Sequence, residues 1–246
     1  MGTSSILAGA ACAVIGRITG KNYSEKELID LVLKVEKEMS TNGGWQDQVG
    51  GLIAGVKYTN SPAVKDEEPI RVYPKQLLVT DDKLNKLCSR MALIFTGETR
   101  LAKNVLENVI KQWENGEDRI KENVQELKQN ANECAEALIQ GNITKLAECL
   151  NKYREQKSIM APDSEPEEVR DCYKILNKHE CAGYCLVGAG GGGYLVVITK
   201  EGKTVEELRK LVSPKYEVNK IQIDNEGLVF TSHADWVEET KKLTQD

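Results

Sequence analysis

The 246-residue sequence has only two histidines, His179 and His233, and none of its seven cysteines forms a Cys-x-x-Cys pair. Zinc sites need such ligands in close groups, so the pattern argues against one. The cysteines (Cys12, Cys88, Cys134, Cys149, Cys172, Cys181 and Cys185) are odd in number and mostly scattered. They read as reduced core thiols of a cytosolic, cytoplasmic protein rather than a disulfide scaffold. Basic residues are not in excess: 33 Lys and Arg stand against 38 Asp and Glu, a net charge of −5. Nucleic acid is therefore not the expected partner. Long apolar runs are missing too. The longest, Ile6 to Gly16, has eleven residues, whereas a bilayer span needs about 20. No basic residue precedes that run, which argues against a signal peptide. Ile6 stands where a myristoylation signal wants Ser or Thr.

What remains is an ordinary soluble composition, 40% apolar and 29% charged, enough for one large domain or two small ones. Ser4 to Ile18 reads as a buried helix, apolar almost all round. A second helix is expected over Ser24 to Met39, opened by a Ser24/Glu27 capping box. Leu28, Leu31, Val32, Val35 and Met39 form its apolar stripe, and at about 100° per residue Glu36 points into that stripe. A carboxylate there is costly unless something charged meets it, or its head stays in water at the rim. Strands are expected at Leu52 to Lys57, Ile70 to Tyr73, Gln76 to Val79 and Ala92 to Phe95. A polar loop lies between Thr59 and Pro69. Helices follow over Arg100 to Trp113, Asp118 to Gln140, Ile143 to Tyr153 and Glu167 to Asn177. Gly183 to Val187 and Tyr194 to Thr199 read as central strands. The helix Val205 to Leu211 and strands at Lys220 to Ile223 and Leu228 to Phe230 close the chain. This order is α+β rather than a regular βαβ alternation. A soft boundary near Thr80 to Arg90 divides 1–85 from 86–246.

Three clusters can carry chemistry. Gly2-Thr3-Ser4-Ser5 enters a helix, where free N–H groups and the helix dipole favour an anion and hydroxyls can take Mg²⁺. Such residues also serve as plain caps. Glu36 and Asp47 lie eleven residues apart across a Gly-containing turn. They can converge on a metal and a substrate hydroxyl, or Asp47 can simply cap the next element. Gly188-Ala189-Gly190-Gly191-Gly192-Gly193 joins two apolar strands. Five glycines in six positions demand unusual backbone angles or a close approach, unless the run is only a flexible hairpin loop.

Taken together, these clusters resemble the motifs of the GHMP kinase superfamily. Gly2 to Ser5 resembles the end of its phosphate-binding motif, with Met1 in place of a Leu and a preceding Gly absent. Gly188 to Gly193 resembles its glycine-rich third motif. Glu36 and Asp47 match the spacing of its Mg²⁺-binding Glu and catalytic Asp. Within the superfamily, three segments are similar to the fucokinase branch: Gly43 to Gly51, Thr96 to Asn104 and Gln156 to Pro162.

The resemblance implies a ribosomal-protein-S5-like N-terminal domain, here partial (1–85), and a ferredoxin-like C-terminal domain (86–246). It implies a sugar kinase that transfers the ATP γ-phosphate to the anomeric hydroxyl of L-fucose. Asp47 and Arg100 would be catalytic. Gly2, Thr3, Ser4, Ser5, Gly188, Ala189, Gly190, Gly191 and Gly192 would bind ATP. Trp45, Asp47 and Gly191 would meet the sugar, and Ser4 and Glu36 would hold Mg²⁺. Trp45 also reads as an aromatic packed beside a turn, and Arg100 as half of a structural ion pair. The family's first motif and early strands are not in the sequence. A missing N-terminal segment or a guanylyltransferase domain, fused or paired, is the expected partner. A heptose-phosphate kinase of the same fold and a non-catalytic fragment are the competing expectations.

Overall fold

The computed structural model describes residues 2–39, 44–65, 68–97, 103–178, 181–188 and 190–232. Met1, Arg100 and Ala189 lie outside the described residues, as do the side chain of Thr3 and residue Gly43.

Three helices form the N-terminal layer: α1 (Thr3–Ile18), α2 (Glu25–Glu38) and α3 (Gln46–Leu52). The expected capping box opens α2. The Ser24 amide donates to Glu27 Oε2 at 2.8 Å, and the Glu27 amide donates to Ser24 Oγ at 3.3 Å. A cap of this kind stabilises a helix by about 1 kcal/mol. Helix α1 is not buried all round as its sequence suggests. It buries a stripe of small residues, Ser5, Gly9, Ala13 and Gly16, at the spacing of one helical face. A β-carbon on Gly9 would stand 2.6 Å from Leu52 Cδ1, and one on Gly16 would stand 2.5 Å from Tyr23 Cε2. The opposite face, with Leu7, Val14, Ile15 and Ile18, is exposed.

Helix α3 takes up residues 46–52, where no helix was expected, and corrects the reading of Leu52 to Lys57 as a strand. Gly50 and Gly51 each cost a helix about 1 kcal/mol relative to Ala, but a side chain at Gly51 would collide with Ile6. Close packing on α1, with Val49 and Leu52 buried, overrides that propensity. The strand begins later, as β1 (Lys57–Asn60), and pairs antiparallel with β2 (Tyr73–Gln76). The two strands expected around Pro74 are thus one.

Beyond this pair come α4 (Asp81–Cys88), β3 (Met91–Phe95), α5 (Lys103–Glu114), α6 (Asp118–Gln140) and α7 (Ile143–Met160). After a short 3-10 turn at Pro162–Ser164 follow α8 (Glu167–Lys178), β4 (Cys181–Leu186), β5 (Tyr194–Thr199), α9 (Val205–Val212) and β6 (Glu217–Lys220). The sheet order is β4-β5-β3-β6, antiparallel throughout. Alternation along β5 assigns its two faces. Leu195 and Val197 join Val169, Cys172 and Leu176 of α8 and Leu208 and Val212 of α9. Ile198 joins Leu87 of α4, Ala137 of α6 and Leu146 of α7. The stretch around the expected boundary holds helix α4, whose Leu87 packs into the second of these cores.

Of the two strands expected to be central, β5 is; β4 is at the edge of the sheet and α7 covers it. The contact is backbone on backbone: a β-carbon at Gly183 would stand 2.7 Å from Ala147 Cα. Asn151 clamps the next step, donating from Nδ2 to the Ala182 carbonyl at 2.9 Å and accepting from the Tyr184 amide at 3.2 Å. Past β6 the chain returns to the N-terminal layer without the expected strand at 228–230. The Gly55 amide donates to the Asp224 carbonyl at 2.6 Å, and Leu228 packs against the α1/α2 core. Among the described residues no helix is long and apolar enough to cross a membrane.

Candidate active site

The N-terminus of α1 organises the first cluster. Gly2 is its N-cap, in the left-handed conformation at φ 63°, and no side chain caps this end. The first-turn amides of a helix lack intrahelical partners and carry the positive end of the dipole, a ready anion site. A β-carbon on Gly2 would stand 3.0 Å from Asp47 Cβ, so the head of α3 lies against this end of α1. One turn in, Ser5 Oγ donates to Glu36 Oε1. The other carboxylate oxygen of Glu36 accepts from Gln48 Nε2 at 2.8 Å. Gln48 is fully buried, and its Oε1 has no partner among the described groups.

The carboxylate inferred to face the α2 stripe is thus half-buried and hydrogen-bonded to two neutral groups, Ser5 and Gln48. The hydroxyl that meets it is that of Ser5; Ser4 is exposed. Gln48 carried no role in the sequence reading, although it neighbours Asp47. Trp45 is the N-cap of α3 and packs beside Ile29, Val49 and Ile53.

The glycine run joins β4 to β5 and has its own supports. Gly188, Gly190, Gly191, Gly192 and Gly193 all have positive φ, from 76° to 121°, which side-chain-bearing residues rarely adopt. Thr96 holds one end: its amide donates to the Gly193 carbonyl at 2.8 Å, and its Oγ1 accepts from the Gly193 amide at 3.1 Å. The middle rests on the 3-10 turn, where the Gly191 amide donates to the Ser164 carbonyl at 2.7 Å. A β-carbon on Gly190 would stand 2.6 Å from Ser164 Cβ. Lys157 supports the other end from α7, donating from Nζ to the carbonyls of Leu186 at 3.1 Å and Gly188 at 2.6 Å. Burial pushes the Lys157 ammonium down to about 8, opposed by Cys185 and Glu165. No sequence signal marked Lys157 beyond its place in a resembling segment, because α7 was expected to end at Tyr153.

Two family models match parts of the chain. The model for the GHMP kinase N-terminal domain matches residues 1–55, and that for the GHMP kinase C-terminal region matches residues 134–216. The chain belongs to the GHMP kinase family. It is 31% identical over 211 residues to the bifunctional fucokinase/GDP-fucose pyrophosphorylase of Arabidopsis thaliana, covering 85% of this chain and 20% of that protein. It is 27% identical over 218 residues to the D-glycero-alpha-D-manno-heptose 7-phosphate kinase of Campylobacter jejuni, covering 85% of this chain and 62% of that one. The chain therefore spans a fifth of the first relative and under two thirds of the second. In fold it resembles the L. major mevalonate kinase solved with R-mevalonate, at a TM-score of 0.67 and 14% identity, covering 92% of this chain and 67% of that one. The fold is that of a GHMP kinase.

Proposed function

We propose that this chain carries the phosphoryl-transfer core of an L-fucose kinase, which moves the ATP γ-phosphate to the anomeric hydroxyl and yields L-fucose 1-phosphate. The observation that carries the reading is the grouping of Gly2, Ser5, Glu36 and Asp47 at one helix N-terminus. The similarity to a fucokinase over 85% of the chain supports L-fucose as the sugar. Phosphoryl transfer needs mainly positioning and charge neutralisation, so a short list of groups suffices.

The donor set fits Mg²⁺. One carboxylate and one hydroxyl beside a phosphate-accepting helix end suit a hard cation that keeps several waters and takes phosphate oxygens as ligands. Glu36 would hold it with Ser5, and with Ser4 as the neighbouring hydroxyl; the ion would neutralise phosphate charge. The chain's own groups do the rest. The amides of Gly2 to Ser5 receive phosphate oxygens. Gln48 fixes the Glu36 carboxylate. Asp47 accepts the proton of the attacking hydroxyl, and Trp45 and Gly191 border the sugar. Gly188 to Gly192 contribute backbone groups near the phosphates, and Arg100 pairs with charge on the transferred group. The 1–85 and 86–246 halves act as nucleotide-binding and C-terminal domains, with a further N-terminal segment or a fused guanylyltransferase as covalent partner.

A second reading, a heptose-phosphate kinase, is favoured by the Campylobacter jejuni relative. The test is ADP release by the longest natural form of the protein with Mg²⁺ and ATP, offered L-fucose, D-mannose or heptose phosphates. Preference for L-fucose supports the first reading, and preference for a heptose phosphate supports the second. Release with none of them supports a non-catalytic fragment. Glu36→Gln should raise the Mg²⁺ concentration needed for nucleotide binding about tenfold or more, since hydrogen bonds remain while the charge is lost.

A further inference from the structure

We infer that Lys157 is a positioning residue: its ammonium, delivered by α7 beneath the end of β4, fixes the shape of the glycine run 188–193 for phosphoryl transfer. The words phosphoryl transfer rest on the kinase reading above; the positioning itself does not.

The placement follows from how α7 and β4 run together. Ala147 touches the backbone of Gly183, Asn151 bonds Ala182 and Tyr184, and Lys157 bonds Leu186 and Gly188. Ten helical residues rise about 15 Å. Five strand residues rise about 16 Å. The two elements therefore advance in step, and one face of α7 meets β4 from its start to the glycine run. Inter-helix bonds set that face. Asn123 Nδ2 of α6 donates to the Gln156 carbonyl at 2.8 Å, and Asn130 Nδ2 donates to Gln156 Oε1 at 3.2 Å. Asn123, Asn130, Gln156 and Lys157 are all buried.

A buried lysine is costly unless its charge does something no apolar residue could. Here it faces two carbonyl oxygens at the point where β4 ends and positive φ begins. Charge-assisted bonds are roughly twice as strong as neutral ones, so the ammonium turns these carbonyls inward and holds the start of the loop. Thr96 and Ser164 hold the rest. The titratable groups that face Lys157 are Glu165, after the 3-10 turn, and the Cys185 thiol of β4, itself pushed up to about 11 by burial. Arg154, one turn earlier on α7, lies over the rings of Tyr173 and Tyr184.

The experiment is hydrogen–deuterium exchange of the full chain, following 186–194 against β5 residues 195–199 as an internal reference. In Lys157→Met the loop should exchange about tenfold faster or more while the reference is unchanged, reflecting local opening alone. Lys157→Arg should restore protection at least in part. Should the methionine variant not fold, Lys157→Gln, which keeps a donor but not the charge, is followed instead, with faster loop exchange expected there too. Equal loop protection in wild type and in the folded variant overturns the inference. In a kinetic arm, Lys157→Met should lower kcat about tenfold with KM for ATP within about twofold, as for a group that shapes the loop without binding substrate. A wild type that transfers no phosphate defeats the kinase reading, while the exchange data still decide the role of Lys157.

Discussion

Gly2 lies against Asp47 so closely that a β-carbon at position 2 would stand 3.0 Å from Asp47 Cβ and 3.1 Å from its Cγ. The turn proposed to receive phosphate and the carboxylate proposed to receive a proton are thus in direct contact. Because Gly2 also has φ 63°, Gly2→Ala meets two penalties. The left-handed backbone costs about 1–2 kcal/mol, and the added methyl displaces Asp47. We predict a lower Tm and a kcat reduced about tenfold, measured by thermal melting and ADP release. A variant with unchanged melting and turnover would show that the contact has no role.

The α7/β4 contact gives a prediction for stability alone. Gly183→Ala places a methyl 2.7 Å from Ala147 Cα and 2.8 Å from its carbonyl carbon. These are backbone atoms that cannot swing aside, so the sheet and helix must separate. Overpacking of this kind costs about 1–3 kcal/mol, and urea unfolding should show a lower midpoint at constant m-value.

Much of the fold was legible because strong periodicity and capping signals sit on elements that packing does not contest. Asp118–Gln140 and Tyr194–Thr199 occur with the bounds their patterns suggest, and Ser24 caps α2 as its spacing implies. Failures came where a tertiary contact decides. Gly50 and Gly51 argue against a helix, yet Gly51 is what lets α3 approach Ile6. Helix α7 continues past Tyr153 because Gln156 and Lys157 are held by α6 and by β4. The site was legible as residue types at a spacing. Which hydroxyl meets Glu36, and that Gln48 and Lys157 brace the groups around them, depends on three-dimensional placement that spacing does not encode.

Alkaline pH should destabilise the protein through its thiols. Burial pushes Cys134 and Cys172 up to about 12, and Cys181 and Cys185 up to about 11, from 9.0. Above pH 9 the unfolded chain releases these protons while the folded chain keeps them. Stability present below pH 9 is therefore lost as pH rises toward 11 to 12. Lys157, pushed down to about 8 from 10.5, and Lys57, also lowered by burial, act in the opposite sense, but the raised thiols, Cys88 and Cys149 among them, outnumber them. Urea midpoints should fall from pH 9 to 11, and less steeply in Cys172→Ala. A midpoint constant over that range would contradict the assignment.

The most direct test of the account is Asp47→Asn in the longest natural form of the protein, assayed for phosphoryl transfer from ATP to L-fucose with ATP affinity measured in parallel. The substitution keeps size and removes the proton acceptor, worth about 10² to 10⁴ in rate for a positioned base. The account predicts that turnover falls by about 10² or more while ATP affinity stays within about twofold. Turnover near that of the wild type would contradict it.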